Sequence, residues 1–511
     1  MTPAIVDTQQ IQNGSHDEQL MDETIVATAT PVGFGGVAIV RVSGSKTDIF
    51  NIANKILKIT IKPRYAYYGI FYKIDSESIL DKGIALYFSA PHSYTGEEVL
   101  EFHCHGGPIV TDLIISELLK LNIRLAEPGE FTKRAWLNGK MDLAQVEAVS
   151  DLINATSIQA AQSAVNTLNG KFSEIIYSFL EQLIYLRTYV EAAIDFSDQE
   201  IDFIAGGEVA NKLNILKQQI ANIIAETNQG VLLQEGINVV IIGEPNVGKS
   251  SLLNALCRRE EAIVTAIPGT TRDVIKTNLN IKGVPISLID TAGLRVTDDL
   301  VEQEGIKRTY SNIEQADFIL LVLDLNACDL SLFKSYYTSL LNINSDDSDV
   351  LVLIRIIREL NLSSKVNIDL EKYLNKIIIV FNKIDQLDKP ILDSILASNK
   401  EQYNNNVSTN VIMLSAKASI SIDYLENLIL KKIGYKQTNE GKFIARRRHL
   451  ECLKKVEQSL LQCDELLTQN MAQELVAEEL RQAQIYLGEI TGEYSPDDLL
   501  GNIFSSFCIG K

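Results

Sequence analysis

The clearest chemistry lies in eight residues, Gly243-Glu244-Pro245-Asn246-Val247-Gly248-Lys249-Ser250. Glycines spaced this way let the backbone curl until several N–H groups point at one anion, and a helix start just beyond adds partial positive charge. Lys249 suits the β- and γ-phosphates of a nucleotide, the Ser250 hydroxyl suits Mg²⁺, and Ser251 follows at the helix start. Asp290-Thr291-Ala292-Gly293 closes a later apolar run, with a carboxylate for the metal shell and a glycine amide for the γ-phosphate. Asn382-Lys383-Ile384-Asp385 and Ser415-Ala416-Lys417 end two more such runs. A carboxylate at Asp385 can accept from two N–H groups on one edge of guanine, a pair adenine does not offer. The stem of Lys383 can cover the base. Four motifs in this order specify a GTP-binding domain.

Three details narrow its type. Leu294 follows the Asp-Thr-Ala-Gly motif where Ras-like enzymes carry a water-orienting glutamine, so the attacking water needs another holder. Asn246 places an amide inside the phosphate loop, and its carbonyl oxygen can hold a monovalent cation against the phosphates. Thr265-Ala266-Ile267-Pro268-Gly269-Thr270-Thr271 reads as a switch segment, with Thr271 available to Mg²⁺ and further oxygens available to the cation.

These loops need a scaffold. INVVII, preceding the phosphate loop, is a continuous apolar strand of the kind buried on both faces of a parallel sheet. NLNIKGVPISLID, FILLVLD, KIIIVFN and VIMLSA follow, separated by helical or polar segments, through about residue 434. That alternation predicts a doubly wound, Ras-like α/β domain over 236–434, lengthened by the segment 342–374. On its N-terminal side, residues 141–235 carry apolar residues at helical spacing, and helix returns over 435–511. The economical arrangement is one helical domain interrupted by the α/β domain. Before it, 23–140 shows short β-branched strands with one or two helices, an α+β domain, and 1–22 is a polar, acidic tail. The fold class is thus multidomain: α+β, all-α and α/β.

Composition agrees with three domains. The chain has 511 residues, 46% of them hydrophobic and 22% charged, with 11 Pro and 29 Gly, which excludes disorder and collagen-like repetition. A net charge of −19 argues against a broad basic face laid on nucleic acid. The densest basic run, Arg446-Arg447-Arg448-His449 with Lys454 and Lys455, reads either as a solvated helix face or as a weak, salt-sensitive tRNA contact. Six cysteines without a Cys-x-x-Cys pair point to a reducing, cytoplasmic compartment, and no apolar run approaches the ~20 residues that span a bilayer. His103 and His105 alternate on one strand, but no further metal-ligand cluster accompanies them.

Taken together, the sequence resembles the tRNA-modification GTPase MnmE (TrmE) family, within the potassium-dependent GTPases activated by G-domain dimerisation. The likeness runs from about Thr24 to the final Phe507-Cys508-Ile509-Gly510-Lys511. It implies Asn246, Thr265, Ile267 and Thr270 as potassium ligands, Ser250 and Thr271 on Mg²⁺, and Glu302 as the residue orienting the hydrolytic water. It further implies a one-carbon tetrahydrofolate (5-formyl or 5,10-methylene type) on the first domain, held by Arg41, Glu101, Lys140 and Lys511. Cys508 is implied to be functional without a definable role. Phe34 in the Gly33–Gly36 turn departs from the arginine that family members carry. The family works as a homodimer with an FAD-dependent partner, MnmG (GidA), in a heterotetramer acting on the wobble uridine of tRNA, with no membrane involved. The product is a 5-aminomethyl or 5-carboxymethylaminomethyl uridine. A ribosome-assembly GTPase switch that binds RNA and modifies nothing is the alternative. The first domain, the split helices and the tail favour the modification enzyme.

Overall fold

The computed structural model describes residues 23–195, 208–259, 276–290, 311–327, most of 353–404, 410–436, 443–469, 473–494 and 497–505, together with Phe507 and Gly510. The described chain divides into two compact units. One holds residues up to 150 with 176–202 and 465–511, and the other holds 151–175 and 203–464. The helical segments expected as one interrupted domain are shared between them.

The first unit is built on a six-stranded sheet of order β3-β4-β5-β2-β1-β6. Its strands are β1 (Ile25–Thr28), β2 (Gly35–Gly44), β3 (Ala66–Tyr72), β4 (Ile79–Phe88), β5 (Glu98–Gly106) and β6 (Arg124–Leu125). All pairings are antiparallel except β1 with β6. Strict alternation explains its two faces. Val40 and Val42 of β2 and Leu100, Phe102 and Cys104 of β5 point into one core with Ile49, Ile52, Ile114 and Leu118 from the helices Lys46–Ile52 and Pro108–Leu118. Each such fully buried side chain stabilises the fold by roughly 1.5–3 kcal/mol. The alternate residues Arg41, Glu101 and His103 are left on the opposite face.

Beneath that face lies a buried charge network. Arg134, 1% exposed, donates to Glu97 at 3.1 Å, to Glu130 at 2.9 Å and to the Glu23 carbonyl at 2.9 Å. Arg124 grips Glu130 through two bonds of 2.6 and 2.8 Å. Burial alone would push the Glu130 carboxyl up, yet the two guanidiniums and a backbone N–H hold it below its usual value. Glu97 and Thr95 also hydrogen-bond the Ser43 hydroxyl, pinning the loop before β5 to β2. Elsewhere in this unit Trp136, Leu143 and Val146 pack with Ile503, Phe504 and Phe507, which anchors the helix Asp497–Ser505.

The second unit contains a six-stranded sheet of order β12-β11-β10-β7-β9-β8. Here β7 (Ile237–Ile242), β9 (Val284–Asp290), β10 (Phe318–Asp324), β11 (Ile377–Asn382) and β12 (Val411–Met413) run parallel, and β8 (Lys276–Ile281) closes the edge antiparallel to β9. Every residue of β11 is buried, as its uninterrupted apolar sequence requires. Separate apolar clusters cover the two faces. The helices Ile158–Leu168 and Glu208–Glu235 also belong to this unit, as does Arg447–Thr468 as far as Asp464. The Thr167 hydroxyl accepts from Ile444 N and donates to Ile444 O, both at 2.9 Å, and Phe172 stacks near Phe443 and His449. A Cβ on Gly230 would come within 2.9 Å of Ala445 N, so the helix Glu208–Glu235 closely meets the segment that leads into the helix Arg447–Thr468. Among the described residues no helix is long and apolar enough to cross a membrane.

Candidate nucleotide and one-carbon sites

The strand order of the second unit reverses around β7, and the loops leaving the carboxyl ends of β7, β9, β10, β11 and β12 gather there, as open α/β sheets require of a ligand site. The phosphate loop links β7 to the helix Lys249–Arg259. Two glycines fix its shape. Gly243 has φ +154° and a Cβ there would lie 2.3 Å from the Val322 carbonyl oxygen. Gly248 has φ +100°, and its Cβ would lie 2.2 Å from the Asn382 amide nitrogen. Leu252 N donates to Gly248 O at 2.9 Å, which starts the helix, and Asn246 turns the loop with φ +63°. The Lys249 ammonium donates to the Gly243 and Glu244 carbonyls, each at 2.9 Å, so the cation is held across the mouth of the loop.

Asn382 ties the loops together. Its amide donates to Val247 O of the phosphate loop at 2.8 Å. Its carbonyl oxygen accepts from Lys383 N at 2.8 Å and from Ala416 N at 3.0 Å. Only 2% of Asn382 is exposed, so these bonds are shielded from water. Ser415 Oγ donates to Asp385 Oδ1 and accepts from Ala418 N at 3.1 Å, which aims the Asp385 carboxylate. Lys417 is exposed beside them. Lys383 adopts the left-handed region at φ +70°, and its ammonium pairs with Asp324 Oδ2 at 2.7 Å.

Asp324 and Asn326 were not singled out in the sequence. The signal was there: a carboxylate ending the fully apolar run FILLVL occupies the same sheet edge as the Asn-Lys-x-Asp turn. Burial would raise the Asp324 pKa, but the Lys383 ammonium and the Asn326 backbone N–H lower it overall. Asp290 ends β9 in register with Ile241. Thr265, Ala266, Ile267, Pro268, Gly269, Thr270, Thr271, Thr291, Ala292, Gly293 and Glu302 lie outside the described residues.

In the first unit, register places Arg41 of β2 directly opposite Glu101 of β5. Arg41 Nε donates to Glu101 Oε1 at 2.8 Å, and His103 Nε2 lies 3.2 Å from Glu101 Oε2. The Arg41 guanidinium also sits over Tyr94, 5.1 Å from the ring centroid, and near Phe131. The Tyr94 hydroxyl pairs with Thr132, and burial raises its pKa. Lys140 donates to the Pro91 carbonyl at 3.1 Å, on the same loop as Tyr94. Each Glu101 oxygen retains a lone pair for a further donor, so the carboxylate fits the amino-pyrimidine edge of a pterin. Lys511 and Cys508 lie outside the described residues, but Gly510 is buried with a hypothetical Cβ 2.1 Å from the Thr28 carbonyl oxygen. Thr28 is one residue beyond Ala27, the β1 partner of Arg41, so Gly510 lies against the strand beside this cluster. Phe34 is 97% exposed at the start of the β2 turn.

The basic run divides. Arg446 is tied to the buried Asp151 at 2.8 Å, whereas Arg447 pairs with Glu235 at 3.2 Å and its side chain stays exposed. His105 pairs with Asp81 at 2.7 Å. Among the described residues no group of three or more His, Cys, Asp or Glu could hold a metal ion.

Two family profiles match the chain: "GTP-binding protein TrmE N-terminus" over residues 24–140 and "MnmE helical domain" over 143–508. The chain is 46% identical over 490 residues to the tRNA modification GTPase MnmE of Saccharophagus degradans, covering 96% of this chain and 99% of that one. It is 47% identical over 492 residues to the protein of the same description from Haemophilus ducreyi, covering 96% of this chain and 100% of the other. Residues 24–508 are thus matched by the two profiles almost without a gap, and the chain belongs to the tRNA modification GTPase MnmE family.

Proposed function

We propose that this chain is the GTP-hydrolysing subunit of a tRNA wobble-uridine modification enzyme, with a G domain at 236–434 and a one-carbon domain at 23–140. One observation carries the reading: Asn382 joins the phosphate loop, the guanine-reading turn and the Ser-Ala-Lys loop in a chain whose full-length relatives are named for GTPase activity in tRNA modification. GTP enters with its phosphates on the loop amides. Lys249 exchanges its two carbonyl partners for phosphate oxygens. Asp385, aimed by Ser415, accepts from the guanine edge, and the stem of Lys383 covers the base.

Ser250 and Thr271 would hold Mg²⁺, and Asn246, Thr265, Ile267 and Thr270 would hold K⁺. When bound, these ions neutralise charge that builds on the phosphates as the terminal bond breaks. The fit is partial but specific: Asn246 is exposed on the outer turn of the loop, and Ser250 lies in the first turn of the helix behind it. Glu302 orients the water in the absence of a glutamine at position 294.

On the first unit, Glu101 and Arg41 hold the pterin edge of a one-carbon tetrahydrofolate, with Lys140 and Lys511 for its acidic tail and Cys508 nearby. The protein acts as a cytoplasmic homodimer with the FAD-carrying partner MnmG, in a heterotetramer on tRNA. Hydrolysis reorganises this assembly while the carbon transfer proceeds at the other site. A ribosome-assembly switch would give the Arg41–Glu101 pair and the burial of Gly510 against β1 no role. Nucleoside analysis of bulk tRNA from cells lacking this protein tests the reading: loss of the 5-substituted wobble uridines is expected, and an unchanged nucleoside profile with disturbed ribosome assembly would overturn it.

A further inference from the structure

We propose that Asp324 is a positioning residue for nucleotide affinity, acting through Lys383; the proposal rests on the GTP-site reading above. Three observations support it. First, Asp324 ends β10 directly opposite Asn382, the last residue of β11, so its side chain stands beside the turn that reads the base. Second, the Lys383 backbone is left-handed at φ +70°, a conformation unfavourable for a side-chain-bearing residue that persists only where its surroundings hold it. Third, the carboxylate is itself fixed. Asp324 Oδ1 accepts from Asn326 N at 3.1 Å, while the Asn326 amide donates to Gln386 Oε1 at 3.1 Å and reaches the Lys383 carbonyl at 3.5 Å. Asp324 and Asn326 together brace both the side chain and the backbone of the turn.

A lysine stem has four rotatable bonds, and laying it over a base requires freezing most of them. Fixing its ammonium at 2.7 Å from Asp324 does part of that freezing before the nucleotide arrives. The consequence is specific in kind. A stem stacked on a ring does not read the base edge, so Asp324 sets affinity for purine nucleotides generally. Asp385 alone sets the preference for guanine.

The test uses the full chain, with the stopped-flow binding of a fluorescent GDP and steady-state GTP hydrolysis. Asp324→Ala should speed GDP release and raise KM for GTP about three- to tenfold, with kcat within about twofold, the range expected for one partly exposed ion pair and its lost preorganisation. In a Lys383→Ala background the same change should add nothing, and Asp324→Glu should restore part of the affinity. In Asp385→Asn, Asp324→Ala should weaken xanthosine diphosphate by the same factor. Additive losses in the double variant, or a fall in kcat and melting temperature with KM unchanged, would overturn the proposal. Failure of the parent chain to bind GDP at all would instead remove the GTP-site reading on which it stands.

Discussion

The nucleotide site and the Arg41–Glu101 cluster are made from different materials. The first is a backbone object: two glycines that admit no Cβ, loop carbonyls around a lysine, and one buried amide joining three loops. The second is a side-chain object, in which an arginine, a glutamate and a histidine on adjacent antiparallel strands meet and the arginine stands over aromatic rings. A backbone site is rigid and fails abruptly, because steric overlap leaves no alternative arrangement. A side-chain site is adjustable, and its losses are graded by charge and hydrogen bonding.

Experiments can press on this difference. The largest effect should follow from Gly248→Ala, which drives a methyl to 2.2 Å from the Asn382 amide at a φ of +100°. Guanine nucleotide affinity should fall by more than about 100-fold, or roughly 3 kcal/mol, in equilibrium binding. A loss below tenfold would show that the loop can yield. Replacing K⁺ by Na⁺ should lower the hydrolysis rate about tenfold without changing GDP affinity, an intermediate effect on a site finished by an ion. Equal rates in the two salts would remove the cation from Asn246. The smallest loss is expected from Glu101→Gln, which keeps the shape and an acceptor for the Arg41 guanidinium but removes the negative charge of that acceptor. Folate binding by titration calorimetry should weaken about fivefold, or about 1 kcal/mol, with GTP hydrolysis untouched. A hundredfold loss there would mean the side-chain cluster is as brittle as the loop.

The same contrast explains what could be read in advance. Phosphate-loop, guanine and Ser-Ala-Lys residues are contiguous in sequence because each loop is one short turn after one strand, so spacing alone revealed them. β7, β10 and β11 were equally plain, since burial on both faces leaves these strands almost wholly apolar, with Asp324 and Asn382 only at the last positions of β10 and β11. Arg41 and Glu101 are 60 residues apart and meet only through the register of β2 with β5, which no local pattern states. Family likeness put them forward together where spacing could not. His103 and Tyr94 joined that cluster only when the strands and the loop before β5 were seen together. Asp324 was missed for another reason: its partner lies on a neighbouring strand whose order in the sheet is a matter of topology. Arg446 was read as part of a basic run, whereas Asp151 neutralises it across 295 residues of sequence.

The close meeting of Gly230 with Ala445 has a consequence for how this architecture could arise. Gly236, where the chain leaves the helix for β7, lies six residues beyond Gly230, about 9 Å along the axis. The roughly 200 residues between leave and return at neighbouring points, so the surrounding helices experience their presence as a short loop closure and not as a long one. A graft of that kind can be exchanged or excised with a few linking residues, at the cost of baring Leu233 and breaking the bond from Ser157 to the Gly283 carbonyl.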